Sequence, residues 1–344
     1  MPPLNSSALP TLSVIMPNYN HAEYLPFSLG AILGQSVRPL EVLVYDDGST
    51  DSSVRTISKL AERDPIVRLV TDSKKVGPNV NLNRGFWEAR GDFVYATAAD
   101  DQVLEGFFEK ALTLLAAFPN AKICLADLAL FDPITGKVRH LRPQLSPRAS
   151  YVTPEEVASS LARKHVPMFG GTTIFNRTAL LELGGFPPSL KWYADWFCVL
   201  VLAIRHGACY LPETAQAMRM LPGSYSAVGA RDAAAQNALL REIFDTLRSD
   251  EYADIWAPIS KSGAMCLLGS QILRVILSEP RYRDILSVRL LIRLLANIPR
   301  TLIGMNHSTP SPIRTLDTFV RSALGLDDWI QKYGVHLSKP DGGS

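Results

Sequence analysis

Cysteine is scarce in this sequence of 344 residues, and the few cysteines form no recognisable site. Cys124, Cys198, Cys209 and Cys266 are far apart, with no CxxC pair and no Cys/His spacing of a zinc site. Three of them lie in apolar segments, where reduced buried thiols are the usual state. We therefore expect no disulfide framework and a protein of the reducing cytoplasm.

Targeting and membrane-spanning signals are also missing. Met1–Pro10 has neither a basic region nor an apolar stretch, so we expect no signal peptide. No run of about 18 apolar residues occurs, so we expect no spanning helix. The formal charge of +2 is close to neutral and predicts no nucleic-acid partner.

Two glycine-rich phosphate-binding motifs are absent. There is no GxGxxG after the first predicted strand and no GxxxxGK[ST] anywhere in the sequence. The main sequence evidence for a dinucleotide-binding or P-loop enzyme is therefore absent. The hydrophobic content of 47% is nevertheless ample for a large buried core.

Short apolar strands alternate with helical patterns in the first hundred residues, which predicts an α/β fold with a mostly parallel sheet. The predicted strands are Leu12–Met16, Leu40–Asp46, Ile66–Val70 and Phe93–Ala96, and the predicted helices are Glu23–Gln35, Ser52–Arg63 and one that ends near Arg90. We expect the segment Thr71–Arg84 to be irregular and Gly91 to end the preceding helix in a left-handed conformation.

Paired carboxylates follow two of these strands. Asp46 and Asp47 end the second strand, and Asp100 and Asp101 come after the fourth. Ligands bind at the carboxyl ends of strands in open α/β sheets. Carboxylates that can bind a divalent cation, with the Lys74-Lys75 loop nearby, suit a diphosphate carried on a metal. A purely structural alternative is that Asp47, Ser49 and Asp51 cap the following helix.

A set of motifs in a fixed order carries a family resemblance. The motifs are Pro17-Asn18-Tyr19-Asn20, Asp46-Asp47-Gly48-Ser49-Thr50-Asp51, Asn83-Arg84-Gly85, Ala89-Arg90-Gly91-Asp92, Ala99-Asp100-Asp101, Gly184-Gly185-Phe186 and Tyr193-Ala194-Asp195-Trp196. From Leu12 to Ser226 the chain resembles the inverting family-2 glycosyltransferases of GT-A fold. The resemblance implies a Rossmann-like nucleotide-diphospho-sugar transferase domain (10–228) with a mixed, mostly parallel sheet, followed by a helical region (229–344).

The resemblance also implies a donor site. Tyr19 would stack on the base, Asp46 or Asp47 would bind the base or ribose, and Asp100 with Asp101 would bind Mn²⁺ or Mg²⁺. The residues expected to bind the nucleotide sugar, of UDP or dTDP type, are Pro17, Tyr19, Asn20, Asp46, Asp47, Lys75, Asn83, Asp100 and Arg219.

On the acceptor side, the resemblance makes Asp195 the general base that deprotonates a hydroxyl group. Trp192, Tyr193 and Trp196 flank it and are expected to contact a glycan or a lipid-linked acceptor. The structural alternative for Asp195 is the N-cap of an apolar helix that starts at Trp196.

Three residues depart from the family pattern, because Ala98, Ala194 and Leu221 replace polar groups. They leave open a second hypothesis, a catalytically weak or inactive partner protein that binds nucleotide sugars. A third hypothesis, a receiver-like phosphoacceptor module, leaves the Gly184-Gly185-Phe186 to Trp196 region unexplained.

The C-terminal third is predicted to be helical from Arg231, with a long segment over Ile255–Leu277 and an apolar helix over Ile285–Ile298. Arg289, Arg293 and Arg300 fall on one stripe of that last helix. The stripe suits contact with an anionic membrane surface, or equally a solvent face of a helix packed on the catalytic domain. A lipid-linked acceptor would fit synthesis of polysaccharide or cell-envelope glycan at the inner face of the membrane. The oligomeric state is not predicted.

Overall fold

The computed structural model describes residues 9–71, 74–260 and 262–294, and the strands in these ranges join in one sheet. The strands are β1 (Leu12–Asn18), β2 (Glu41–Asp46), β3 (Val67–Thr71), β4 (Phe93–Ala96), β5 (Gln102–Val103), β6 (Ile123–Phe131), β7 (Val138–Leu141), β8 (Ser150–Val152), β9 (Thr173–Asn176) and β10 (Ala208–Arg219).

Helices flank the sheet and follow it in the chain. They are α1 (Leu25–Leu33), α2 (Ser53–Arg63), α3 (Pro78–Glu88), α4 (Phe107–Ala117), α5 (Pro154–Arg163), α6 (Arg177–Glu182), α7 (Ala194–His206), α8 (Tyr225–Arg231), α9 (Ala233–Leu247), α10 (Ala253–Ile259) and α11 (Ile272–Ser278).

The sheet has the order β3-β2-β1-β4-β9-β6-β10-β5, with β7 paired to β6 and β8 paired to β10. The first four strands are parallel, and β9 joins the two halves through antiparallel pairs with β4 and β6. This arrangement confirms the predicted mixed α/β sheet. It brings the carboxyl ends of β1, β2 and β4 to one edge, where the predicted donor residues follow.

The strands β1, β2 and β4 form the centre of the core, and their apolar side chains are fully buried. Leu25, Leu29 and Ile32 of α1 pack against this layer because they recur at helical spacing on one face. The strand ends are therefore fixed by a rigid core, while the polar turns beyond them form the site.

The connection between β3 and β4 differs from the prediction. α3 begins at Pro78, inside the segment expected to be irregular, and ends at Glu88. Gly91 is not in the left-handed region. It is a glycine because a Cβ atom there would lie 2.6 Å from the backbone nitrogen of Ser13 in β1.

The long helical segment predicted over Ile255–Leu277 is also wrong, because two glycines interrupt it. Gly263 has φ 80° and Gly269 has φ 89°, a left-handed conformation that ends helices. α10 stops at Ile259 and α11 starts at Ile272, with a short 3₁₀ turn between them.

The last predicted helix is described only as far as residue 294, so Arg300 lies outside the described residues. A 3₁₀ turn ends at Ile285, and residues 288–294 are helical. The guanidinium of Arg293 donates to the carbonyls of Leu161 (2.8 Å) and Ala162 (2.7 Å) at the end of α5. Arg293 therefore contacts the end of α5. Its position is neither of the two predicted for the stripe, which were lipid-facing and solvent-facing. None of the described helices is long and apolar enough to cross a membrane.

The described residues belong to one contact unit, Met1–Leu295. The boundary expected between residues 228 and 229 stays a prediction.

Candidate active site

The first acid of the β2 turn is a structural residue in this geometry. Asp46 is buried and accepts hydrogen bonds from Asn18 Nδ2 (2.7 Å), Ser49 Oγ (2.6 Å) and Ser49 N (2.9 Å). These bonds join the ends of β1 and β2. Both carboxylate oxygens of Asp46 therefore help to fix this junction, and its contact with the base or ribose stays a prediction.

Asn20 continues the same junction. Its φ of 55° is left-handed, a conformation that asparagine tolerates better than most residues. Asn20 N donates to Ser49 Oγ (2.8 Å), and Thr50 N donates to Asn20 Oδ1 (2.7 Å). Pro17 lies within β1, in register with Tyr45 of β2. Pro17 and Asn20 thus shape the edge of the sheet around Tyr19.

Asp47 faces the opposite side of the turn and orders the loop before α3. It accepts hydrogen bonds from Val76 N (2.7 Å), Gly77 N (3.0 Å) and Asn81 Nδ2 (3.2 Å). A carboxylate has about four acceptor positions, so Asp47 can accept one further hydrogen bond. Asp46 and Asp47 each accept three hydrogen bonds, so either acid keeps capacity for a contact with the nucleoside.

Tyr19 and Lys75 are brought together as expected of two donor-site residues. The Tyr19 side chain is 38% exposed, and Lys75 Nζ lies 3.4 Å from the centre of its ring. This is a close cation–π contact. An aromatic face and a cation therefore share one position at the edge of the sheet.

The side-chain amide of Asn83 is paired with the backbone of Phe186. Its Nδ2 donates to Phe186 O (2.8 Å), and its Oδ1 accepts from Phe186 N (2.8 Å). Gly185 has φ 79°, and a Cβ atom there would lie 2.5 Å from Asn83 Oδ1. The geometry does not support Asn83 as a donor-binding residue. It fixes the glycine turn that leads to the acceptor side.

The two acids after β4 have different environments. Asp101 is buried and accepts hydrogen bonds from Arg219 N (2.9 Å) and Gln216 Nε2 (3.3 Å). Its burial and the neighbouring Asp100 charge raise the pKa of this carboxyl well above its usual range. The geometry does not support Asp101 as a metal ligand, because it anchors the end of β10.

Asp100 retains a carboxylate that accepts no hydrogen bond from the described residues. Its backbone carbonyl accepts from Arg219 Nε (3.2 Å), and the Arg219 guanidinium also lies over the rings of Tyr24 (4.8 Å) and Phe131 (5.7 Å). A fixed arginine beside an available carboxylate is suited to a phosphate group that carries a cation.

His21 is next to Asp100, and the sequence analysis did not single it out. Its Nδ1 atom is buried, has no hydrogen-bond partner in the described part of the chain and lies 3.9 Å from Asp100 Oδ1. Three or more His, Cys, Asp or Glu residues do not converge on a metal site anywhere in the described ranges. Asp100 and the unpartnered His21 nitrogen nevertheless fit a cation that takes its other ligands from phosphate and water.

Asp195 lies in the first turn of α7, whose N-cap is Tyr193, so the N-cap alternative for Asp195 is wrong. The Asp195 side chain is partly exposed, and its Oδ2 accepts from Gly170 N (2.9 Å). A Cβ atom on Gly170 would lie 2.6 Å from Asp195 Cβ, so only glycine permits this approach. Burial raises the pKa of the Asp195 carboxyl above its ordinary value, which makes it a stronger base than an exposed aspartate.

The three aromatic residues predicted for the acceptor differ in exposure. Trp192 and Tyr193 are partly exposed and share one partner in α9, because Gln236 Oε1 accepts from Trp192 Nε1 (3.1 Å) and Gln236 Nε2 donates to Tyr193 Oη (2.9 Å). Trp196 is 7% exposed. Its ring is therefore part of the core, and the geometry does not support stacking of Trp196 on an acceptor sugar.

Comparisons with known proteins agree with this architecture. A model of the family described as Glycosyl transferase family 2 matches residues 13–184. A GalNAc(5)-diNAcBac-PP-undecaprenol beta-1,3-glucosyltransferase of Campylobacter jejuni is 34% identical over 99 residues, which are 28% of this chain and 32% of that protein. The chain spans less than half the length of the curated relatives that it matches first.

Solved structures with the same fold extend over most of the chain. The Staphylococcus aureus protein TarS (1–349) in complex with UDP has a TM-score of 0.58 at 18% identity, covering 96% of this chain and 95% of that one. The mannosyltransferase PcManGT from Pyrobaculum calidifontis, in complex with GDP-Man and Mn²⁺, has a TM-score of 0.53 at 20% identity, covering 95% and 84%. At these identities the likeness establishes the GT-A-like fold.

Proposed function

The chain belongs to glycosyl transferase family 2, and from this premise we propose that it is an inverting, divalent-metal-dependent enzyme that glycosylates a hydroxyl acceptor. As a member of this family it is a glycosyltransferase that uses a nucleotide sugar. The inverting course, the metal and the roles of individual residues are the proposal.

One observation carries the proposal: a pair of adjacent glycines connects the expected base to the expected metal-binding acid. Gly170 N donates to Asp195 (2.9 Å), while a Cβ atom on Gly171 would lie 2.3 Å from Gln216 Oε1. Gln216 in turn donates to Asp101, the residue after Asp100. This proximity supports donor and acceptor functions that border one site, as direct transfer of a sugar requires.

Asp195 is proposed to accept the proton of the acceptor hydroxyl as that oxygen attacks the sugar. A general base must reach its proton at hydrogen-bonding distance and have a pKa that suits the reaction. Trp192 and Tyr193 are proposed to hold the sugar face of the acceptor, because aromatic faces pack well on C–H surfaces. Gly170 keeps the carboxylate in place through its N–H.

The donor diphosphate is proposed to lie between Asp100, Arg219 and Lys75. Arg219 and Lys75 supply positive charge that stabilises the leaving nucleoside diphosphate. A divalent cation, when bound, adds charge neutralisation on the same phosphates. Tyr19 and Asp47 are proposed to bind the nucleoside, with the Lys75 ammonium moving from the Tyr19 face to the phosphate.

The donor and acceptor classes follow from the relatives as proposals. TarS has been solved with UDP and with UDP-GlcNAc, and PcManGT with GDP-Man. The Campylobacter relative is named for an undecaprenol-linked acceptor. We propose a UDP- or dTDP-sugar donor, with a GDP-sugar as the alternative, and a glycan or lipid-linked acceptor in polysaccharide or envelope-glycan synthesis at the cytoplasmic face of the membrane.

The pH dependence of transfer is expected to follow Asp195. Only the carboxylate form can accept a proton, so kcat/KM should fall as the pH drops through the pKa of Asp195. Because burial raises that pKa, the fall should occur above about pH 3.9, the ordinary value of an aspartate. A pH–rate profile of sugar transfer measures this fall in kcat/KM on the acid side. A profile that stays flat down to pH 4 would contradict the base assignment.

A panel of nucleotide sugars tests the proposed function. Thermal shift with UDP-, dTDP- and GDP-sugars in Mn²⁺ should identify a donor, and release of the nucleoside diphosphate should follow with a suitable acceptor. Inversion is read from the anomeric coupling of the product by NMR. Donor binding without any turnover over a broad acceptor panel would favour a non-catalytic partner protein instead.

A further inference from the structure

The position of His21 is fixed by the turn between β1 and α1. Its carbonyl accepts from Tyr24 N (2.9 Å) and Leu25 N (3.2 Å), so the turn begins at this residue. Its ring packs edge-on against Tyr24 with 5.8 Å between ring centres. Tyr24 also carries the Arg219 guanidinium on its ring. The imidazole is therefore held at the donor site by its turn and by packing against Tyr24.

The Nδ1 atom of His21 is unusual because it is buried and without a hydrogen-bond partner in the described ranges. Buried polar atoms of this kind are rare and often mark a site that a missing group completes. The atom that it approaches is Asp100 Oδ1 at 3.9 Å, which is too far for a hydrogen bond. Imidazole nitrogen and carboxylate oxygen are both metal ligands.

The separation suits one shared cation. Two ligands at about 2.1 Å from an octahedral ion lie about 3 Å apart in adjacent positions and about 4.2 Å apart in opposite positions. The observed 3.9 Å falls between these limits. A side-chain shift of less than about an ångström would bring both atoms into the bonding range.

We propose that His21 is a protein ligand of the divalent cation at the donor site, acting together with Asp100. The proposal rests on the proposed metal-dependent transfer and adds a nitrogen ligand that the sequence motifs did not indicate. It has a consequence for metal choice. Imidazole nitrogen binds Mn²⁺ better than the harder Mg²⁺, so His21 should make the site prefer Mn²⁺ to Mg²⁺.

The test uses the 344-residue chain labelled with ¹⁵N-histidine, together with Mn²⁺ and UDP, or GDP if UDP does not bind. Pulsed EPR of the bound Mn²⁺ should show hyperfine coupling to ¹⁵N in the wild type and none in His21→Gln. Titration followed by EPR should give Mn²⁺ affinity about tenfold lower in His21→Gln. Mg²⁺ affinity, measured by competition, should change much less.

His140→Gln is the matched control, because His140 lies in β7 and contacts Thr214 rather than the acids after β4. It should keep both the coupling and the affinity. Absence of ¹⁵N coupling in the wild type, while UDP and Mn²⁺ bind, would overturn the role of His21 and leave the proposed function intact. Failure of both UDP and GDP to bind with Mn²⁺ would overturn the proposed function itself. A wild-type spectrum without ¹⁵N coupling overturns the role of His21 even if His21→Gln does not fold.

Discussion

Asp195→Asn is expected to lower kcat for sugar transfer about a thousandfold, because an amide cannot accept the proton of the acceptor hydroxyl. Donor affinity should remain within about twofold of the wild type, since the amide oxygen of the substituted side chain can still accept the hydrogen bond from Gly170 N. Steady-state kinetics with the identified donor and isothermal titration with its nucleoside diphosphate separate the two effects. Turnover near the wild-type value would remove Asp195 from the role of base.

The same substitution is expected to stabilise the fold at neutral pH. Burial raises the folded-state pKa of Asp195, so stability falls as the pH rises from the ordinary aspartate pKa to the raised one and stays lower above it. Removing the charge should therefore raise Tm at pH 7, and the gain should vanish at acid pH. Asp254→Asn is the matched control, because Asp254 pairs with Arg205 (2.8 Å) and losing that charge should not raise Tm.

Asp100→Ala is expected to abolish the metal-dependent part of donor binding. A cation bridging protein and diphosphate contributes several kcal/mol, so affinity in Mn²⁺ should fall about a hundredfold, to the value that the wild type shows in EDTA. Transfer should fall at least as much. Isothermal titration with and without Mn²⁺ measures the coupling between metal and nucleotide.

Asp101→Asn provides the comparison for Asp100→Ala. Asp101 is buried against Arg219 N and Gln216, so its substitution should act on stability and retain a clear Mn²⁺ dependence of nucleotide binding. If Asp101→Asn loses the metal dependence and Asp100→Ala keeps it, the roles assigned to these two acids are reversed.

Much of the fold could be predicted from the sequence because its signals are local. Apolar runs that end in polar turns predict strands such as β2, and helical spacing of Leu25, Leu29 and Ile32 predicts α1. The rule that parallel strands share one functional edge then places Asp46 and Asp100 near each other. The long helix predicted over Ile255–Leu277 was wrong because the prediction gave apolar spacing more importance than Gly263 and Gly269, two glycines that end helices.

The site was harder to predict, because motif membership does not show which way a side chain faces. Asp46 and Asp47 are adjacent, yet Asp46 joins the ends of β1 and β2 while Asp47 orders the loop before α3. Asn83 lies within a motif but is fully paired with Phe186. Asn18 lies 28 positions from Asp46 and Phe186 lies 103 positions from Asn83, and no local pattern indicates such partners.

His21 and Gln236 were missed for the same reason. His21 directly follows the Pro17–Asn20 motif, and only the 3.9 Å distance from its Nδ1 to Asp100 Oδ1 indicates a role. Gln236 is in the helical region, where no motif was available, and contacts both acceptor aromatics. A sequence signal did exist for His21, since it follows Tyr19-Asn20 in a turn at the predicted donor edge.

Anomalous diffraction at the manganese edge tests the central claim most directly, using crystals grown with Mn²⁺ and the nucleoside diphosphate of the identified donor. We expect one strong peak within bonding distance of the Asp100 carboxylate, with the diphosphate beside Arg219 and the base against Tyr19. Well-ordered nucleotide elsewhere on the protein, with no manganese peak at Asp100, would contradict it.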